Sequence, residues 1–131
     1  MSTHPPADDS TTVADLRRLV DDFVSARDWH RFHSPKNLAM ALAIEAAELM
    51  EHFQWLTPEQ SRRIADQPER RDAAAEELAD VVCYALAMAN ELGIDVAAAV
   101  VEKMKKNVAK YPAEKYQGYF GPDDPALSGD L

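Results

Sequence analysis

Apolar residues in this chain recur at the spacing of a helix, not of a strand. Val13, Leu16, Leu19, Val20, Phe23 and Val24 fall three or four positions apart, on one helical face. Thr12 stands ahead of them as a cap with Asp15 as its partner, so a first helix is expected from Thr12 to near Asp28. A turn rich in aromatic and histidine residues follows at 29–33. Ser34 and Pro35 then read as a helix start, serine as cap and proline at the first helical position, with Asn37 as an alternative cap. The second helix is expected from about Lys36 to Trp55. It is apolar nearly all round between Leu38 and Met50, which predicts a central helix contacted on several sides. Thr57 and Gln60 form a second capping signature and open a short helix that Pro68 closes. A third helix is expected from about Glu69 to Leu92, with Gly93 as its stop. Asp95 caps a fourth from Val96 to about Lys110, and Pro112 follows its end.

Four helices with short connections predict an all-α fold, an antiparallel four-helix bundle. The four glycines and the abundance of Ala, Leu, Glu and Arg agree with that. At 131 residues the chain is read as one domain over 12–116. Residues 1–11, rich in Pro, Asp and Ser/Thr, are expected to be disordered, and 117–131 to be loosely ordered. The second helix is too apolar for a small monomer, so a dimer or larger homo-oligomer is expected. The formal charge of −9 argues against a nucleic-acid partner, which calls for a basic stripe. Cys83 is the single cysteine, so no intramolecular disulfide forms; its simplest reading is a small core residue. No apolar run approaches the roughly 20 residues of a membrane span. The N-terminus lacks a secretory profile, and no membrane partner and a cytoplasmic location are expected.

Charge enters the apolar second helix in one way. Met40 to Met50 carries two charges, Glu45 and Glu48, three residues apart and so on one face. Charges on helices are ordinarily solvated, but no Lys, Arg or Gln accompanies this pair. Glu77 and Asp80 repeat the spacing on the third helix, with Asp80 set beside Val81 and Val82, which are expected to be core. Four carboxylates converge in an apolar setting only around a positive charge, and oxygen ligands suit Mg²⁺ or Mn²⁺. A redox di-iron bundle would need Glu-x-x-His on two helices, and positions 48 and 80 are Glu and Asp. A carboxylate-held cation is a phosphate-binding device. Lys36 and Lys103, with Asn107 nearby, are basic and polar groups available to complete it. Trp29, His33, Trp55 and Tyr84 are candidates for stacking on a base, Tyr84 lying one turn after Asp80.

The segments RDWHRFHSPKNL (27–38), EAAELMEHFQW (45–55), EELADVVCY (76–84) and K-M-x-x-N-x-x-K-Y-P (103–112) together resemble the all-α nucleoside triphosphate pyrophosphohydrolases of the MazG-like type. Within them the dCTP pyrophosphatase group is the nearest. The likeness covers roughly residues 13 to 116. It implies a helical bundle assembling as a dimer or a dimer of dimers, and hydrolysis of a nucleoside triphosphate to monophosphate and pyrophosphate. It implies Glu45, Glu48, Glu77 and Asp80 as catalytic Mg²⁺ ligands. It places Lys103, Asn107 and Tyr111 near the phosphates or sugar, and Trp29, His33, Trp55 and Tyr84 around the base and deoxyribose. The expected substrate is dCTP or a modified deoxycytidine triphosphate, removed before a polymerase uses it. A rival reading is a non-catalytic helical oligomer that senses nucleotides or binds a partner protein. Another is a purely structural oligomer whose acids cap helices or pair with Arg.

Overall fold

Helices begin where the sequence supplies their caps. The structure, a computed structural model, describes residues 3–118, 120, 121 and 124. Helix α1 (Val13–Ala26) opens on a capping box: Asp15 N–H donates to Thr12 Oγ1 at 3.1 Å, and Thr12 N–H to Asp15 Oδ2 at 2.9 Å. Helix α2 (Pro35–Glu51) is capped by Ser34, whose hydroxyl accepts from Asn37 N–H at 3.2 Å. Thr57 and Gln60 make the second capping box, at the start of the short α3 (Pro58–Arg62). A 3-10 turn (Arg63–Asp66) leads into α4 (Pro68–Leu92). Gly93 ends α4 at φ 63°, in the left-handed region that glycine tolerates best. Asp95 caps α5 (Val96–Lys110), and one further turn of helix, α6 (Ala113–Tyr116), follows. Among the described residues every regular element is helical. No single helix among them is long and apolar enough to cross a membrane.

Element ends differ from expectation where turns intervene. Helix α1 stops at Ala26, short of Asp28. Helix α2 stops at Glu51, not Trp55. The N–H groups of His52 and Phe53 bond back to Leu49 and Met50, three residues earlier, and this tightens the chain into turns. Pro68 opens α4 instead of only closing the helix before it, since the first helical position needs no N–H. Residues 7–11, expected to be disordered, form a turn in which Thr11 N–H donates to Ala7 O at 2.8 Å. Of the expected loose tail at 117–131, residues 119, 122, 123 and 125–131 lie outside the described residues.

The chain divides into two compact units, one ending at Ile94 and the other starting at Asp95. The first unit holds the three long helices α1, α2 and α4, and the second holds α5 and α6. In the first unit α4, not α2, is central: it packs along α2, α1 and the 3-10 turn before it. Helix α2 runs antiparallel to α4, since Glu51 and Arg70 line one cavity at one end while His33 and Ala87 line another at the other end. Leu38 is only 1% exposed, whereas Met40 (49%), Ile44 (59%) and Met50 (59%) on the same helix stay open. Val24, Ile64, Leu86, Ala87 and Ala89 complete the buried core. Val82, read as core, is exposed. Arg17 ties α1 to the end of α4: its Nε donates to Asn90 Oδ1 at 3.0 Å and its Nη2 to Ala89 O at 3.3 Å. In the second unit the Tyr111 and Tyr116 rings meet edge to face at 5.3 Å.

Candidate metal centre and adjoining aromatic cavity

Glu45 and Glu48 stand one turn apart on α2, Glu77 and Asp80 one turn apart on α4, and the two helices lie side by side. A ligand oxygen from each of Glu45, Glu48 and Glu77 lies within 4.8 Å of the others. Asp80 is not part of this tight group, yet its charge acts on both Glu45 and Glu77. Burial and then the Glu48 carboxyl push Glu45 up to about 7, with Asp80 and Glu77 adding to the shift. Glu77 is raised by burial, then by Glu48 and Asp80, while His52 acts in the opposite sense. The Oε2 atoms of Glu45 and Glu77 are buried and have no hydrogen-bond partner among the described residues. Unpartnered buried acceptors are costly, and like charges this close repel. An all-oxygen donor set with orphaned atoms fits a hard divalent cation. His52, one turn past Glu48 and so toward the same face, brings Nε2 to 4.0 Å from Glu77 Oε1.

Next to the acids lies a cavity of about 450 Å³, and Asp80 belongs to its lining. Trp29, His33 and Tyr84 line it too, so three of the four expected base-pocket residues come together. Phe23 packs edge to face on Trp29 at 5.6 Å, and the His33 ring centroid is 6.5 Å from that of Trp29. His33 Nδ1 is buried with no hydrogen-bond partner among the described residues. Cys83 was read as core; it is exposed and forms part of the cavity wall, because it shares the α4 face of Asp80 and Ala87. Leu19 and Phe23 are walls that the reading of α1 as a core stripe passed over.

The remaining candidates lie elsewhere. Trp55, 87% exposed, lines a separate cavity of about 290 Å³ with His52, Ile64 and Arg70, so the fourth base-pocket residue does not join the others within this chain. That follows from α2 ending at Glu51, which takes residue 55 off the helix. Lys36 is exposed on the first turn of α2 and lines neither cavity. Lys103 is exposed on α5 in the second unit. Asn107 Nδ2 there lies 3.7 Å from Met104 Sδ, and Tyr111 sits at the helix end under Lys110 Nζ at 5.3 Å.

Comparison with known proteins bears on this arrangement. A sequence profile of the MazG-like family matches residues 40–119, a stretch holding all four acids. The chain is 42% identical over 107 residues to dCTP pyrophosphatase 1 of Rattus norvegicus, and 43% identical over 102 residues to that of Homo sapiens. These alignments cover 82% and 78% of the chain but 63% and 60% of the relatives, so the chain spans under two thirds of the proteins it matches. Among solved structures it is similar to a pyrophosphatase from Archaeoglobus fulgidus, with a TM-score of 0.69 and 34% identity over 85% of this chain and 99% of that one. By matched sequence, helical fold and shared architecture, the chain belongs to the MazG-like family.

Proposed function

We propose that this protein is a magnesium-dependent nucleoside triphosphate pyrophosphohydrolase, acting in the cytoplasm on dCTP or modified deoxycytidine triphosphates. The observation that carries the reading is the acid cluster with orphaned oxygens, adjoined through Asp80 to a mostly apolar aromatic cavity. One part suits a cation and phosphates; the other suits a base. The choice of substrate follows the relatives, which are named dCTP pyrophosphatase 1.

Glu45, Glu48, Glu77 and Asp80 would hold the ion, Mg²⁺ or Mn²⁺, which when bound offsets the triphosphate charge and acidifies a water molecule. Trp29 and Tyr84 offer aromatic faces to the base, and the apolar wall keeps water off it. His33 Nδ1, buried and unpartnered, offers a polar atom to the base or sugar. In the reaction one water oxygen bonds to phosphorus and one bridging P–O bond breaks. Monophosphate and pyrophosphate leave, and a carboxylate of the cluster accepts the water's proton. The roles of Trp55, Lys103, Asn107 and Tyr111 rest on the family resemblance and that of Lys36 on its charge, and all are tested by the KM of their alanine variants. The open apolar side of α2 at Met40, Ile44 and Met50 supports assembly as a dimer or a dimer of dimers, read by light scattering.

The test is a panel of canonical and modified nucleotides assayed for monophosphate and pyrophosphate. Turnover of dCTP should require Mg²⁺, and Glu48→Ala should abolish it with helical circular dichroism unchanged. Equal turnover without a divalent ion, or full activity of Glu48→Ala, refutes the proposal. The open face of α2 also suits a nucleotide-sensing or partner-binding oligomer; binding of dCTP without product would favour that reading.

A further inference from the structure

The turn that brings Trp29 and His33 to the cavity is fastened through His30. This side chain lies between carboxylates of two helices. Its Nδ1 is 2.6 Å from Glu91 Oε1 on α4, and its Nε2 is 3.1 Å from Asp21 Oδ1 on α1. Ser25 Oγ, also on α1, lies 3.0 Å from Nε2. The entry to this turn is sparsely populated backbone, since Asp28 adopts φ 53° without being glycine. One residue therefore ties the turn to both helices that flank the cavity.

Protonation decides how well it does so. An imidazolium donates from both nitrogens and satisfies both carboxylates. A neutral ring donates from one. With Nδ1–H on Glu91, the Nε2 lone pair faces Asp21 and is left to accept from the Ser25 hydroxyl. The hydrogen bond to Glu91 holds His30 above the ordinary histidine range, burial opposes it, and the charges of Glu91 and Asp21 add to the rise. The other charged or titratable groups nearby are engaged or belong to the same turn. Arg17 on α1 is turned to Asn90 and Ala89, Arg31 pairs with Asp28 at 3.5 Å, and His33 shares the packed space between α1 and α4.

We propose that His30 is a positioning residue for nucleotide recognition: bridging Asp21 and Glu91, it holds residues 29–33 so that Trp29 and His33 face the cavity. This rests on the reading that the cavity takes the base. The sign follows from the bridge. The fastening is complete at acid pH and is lost as pH rises through the raised pKa of His30. Nucleotide affinity should fall with it while the chemical step does not. The acid cluster changes in the opposite direction, because its ion binds better as pH rises.

The experiment measures kcat and KM for dCTP at saturating Mg²⁺ from about pH 6 to about pH 9, spanning the histidine range and beyond. Wild-type KM should climb by up to about tenfold per pH unit of coupling, with kcat little changed. His30→Phe should show the high KM at every pH, and His30→Arg, with a permanent charge and a donor fork, should keep the low KM at alkaline pH. A second readout needs no catalysis. The chain has two tryptophans, so Trp55→Phe leaves Trp29 as the sole emitter. Its emission should shift with pH, and the shift should vanish when His30→Phe is added. Active wild type with KM and Trp29 emission indifferent to His30 would overturn the fastening and leave the functional reading intact. A wild type that hydrolyses no nucleotide would overturn the functional reading; the Trp29 titration then decides the fastening, and emission that ignores pH ends it.

Discussion

Ion binding at the acid cluster should release a proton, and the size of the effect follows from Glu45. Burial and Glu48 bring that carboxyl to about 7 in the ion-free protein. It is then mostly protonated near pH 6 and mostly ionised near pH 8, while a cation needs the ionised form. For this one group the apparent Mg²⁺ affinity should fall about tenfold from about pH 8 to about pH 6. Glu77, also raised, steepens the fall. Calorimetry in two buffers of unlike ionisation enthalpy reads the release directly, at about one proton per ion near pH 6 and few near pH 8. Stability obeys the same linkage. Glu45 binds its proton more tightly folded than at its ordinary value of 4.5, so ion-free stability falls as pH rises from there through about 7. Bound cation reverses that loss, contributing about 2.7 kcal/mol at a hundredfold excess over Kd. Glu48→Gln removes a charge that raises both Glu45 and Glu77, so pH dependence and affinity should shrink together. Affinity that ignores pH, with no buffer-dependent heat, refutes the reasoning.

Three further outcomes are expected. Leu38→Ala removes a side chain that is 1% exposed and should cost about 2–5 kcal/mol in urea unfolding, with the ion site retained. Gly93→Ala puts a Cβ on backbone at φ 63° and should destabilise by about 1–2 kcal/mol, read by thermal melting. Trp29→Ala should weaken dCTP by about 1–3 kcal/mol, a rise in KM of about fivefold to about a hundredfold, with Mg²⁺ affinity unchanged.

Features set by neighbours in sequence were legible; those set by neighbours in space were not. Thr12, Ser34, Thr57 and Asp95 act within a turn of their own position, and each caps the helix expected of it. The acid pairs were legible for the same reason, since spacing alone puts each on one face, and the facing of α2 and α4 then gathers Glu45, Glu48 and Glu77. Apolarity could not tell an enclosed helix from one with an open side, so α2 was read as central while α4 holds that place. Cys83 and Val82 failed likewise: each suits a core by composition, but burial depends on what packs against that part of α4. Trp55 depended on where α2 ends, which the turn bonds of His52 and Phe53 decide. The bridge at His30 joins residues 21, 30 and 91, a separation that no local pattern reports.

Helix α4 unites these parts. Glu77, Asp80, Tyr84, Ala87 and Glu91 recur at steps of three and four, so one face carries an acid of the cluster, the cavity wall and the anchor of His30 in that order. At a rise of 1.5 Å per residue this face runs about 21 Å from Glu77 to Glu91. The order suits a nucleotide laid along it, phosphates at the acid end and base toward Tyr84. It also makes the helical phase a requirement. One residue inserted between Asp80 and Tyr84 would turn the two ends apart by about 100°. Glu45, Glu48 and Glu77 would still meet, so Mg²⁺ should still raise the melting temperature. The cavity wall and the Glu91 contact would leave the face, so dCTP hydrolysis should be lost. An insertion variant that binds the ion and hydrolyses dCTP normally would show that acids and cavity work independently of their shared helix.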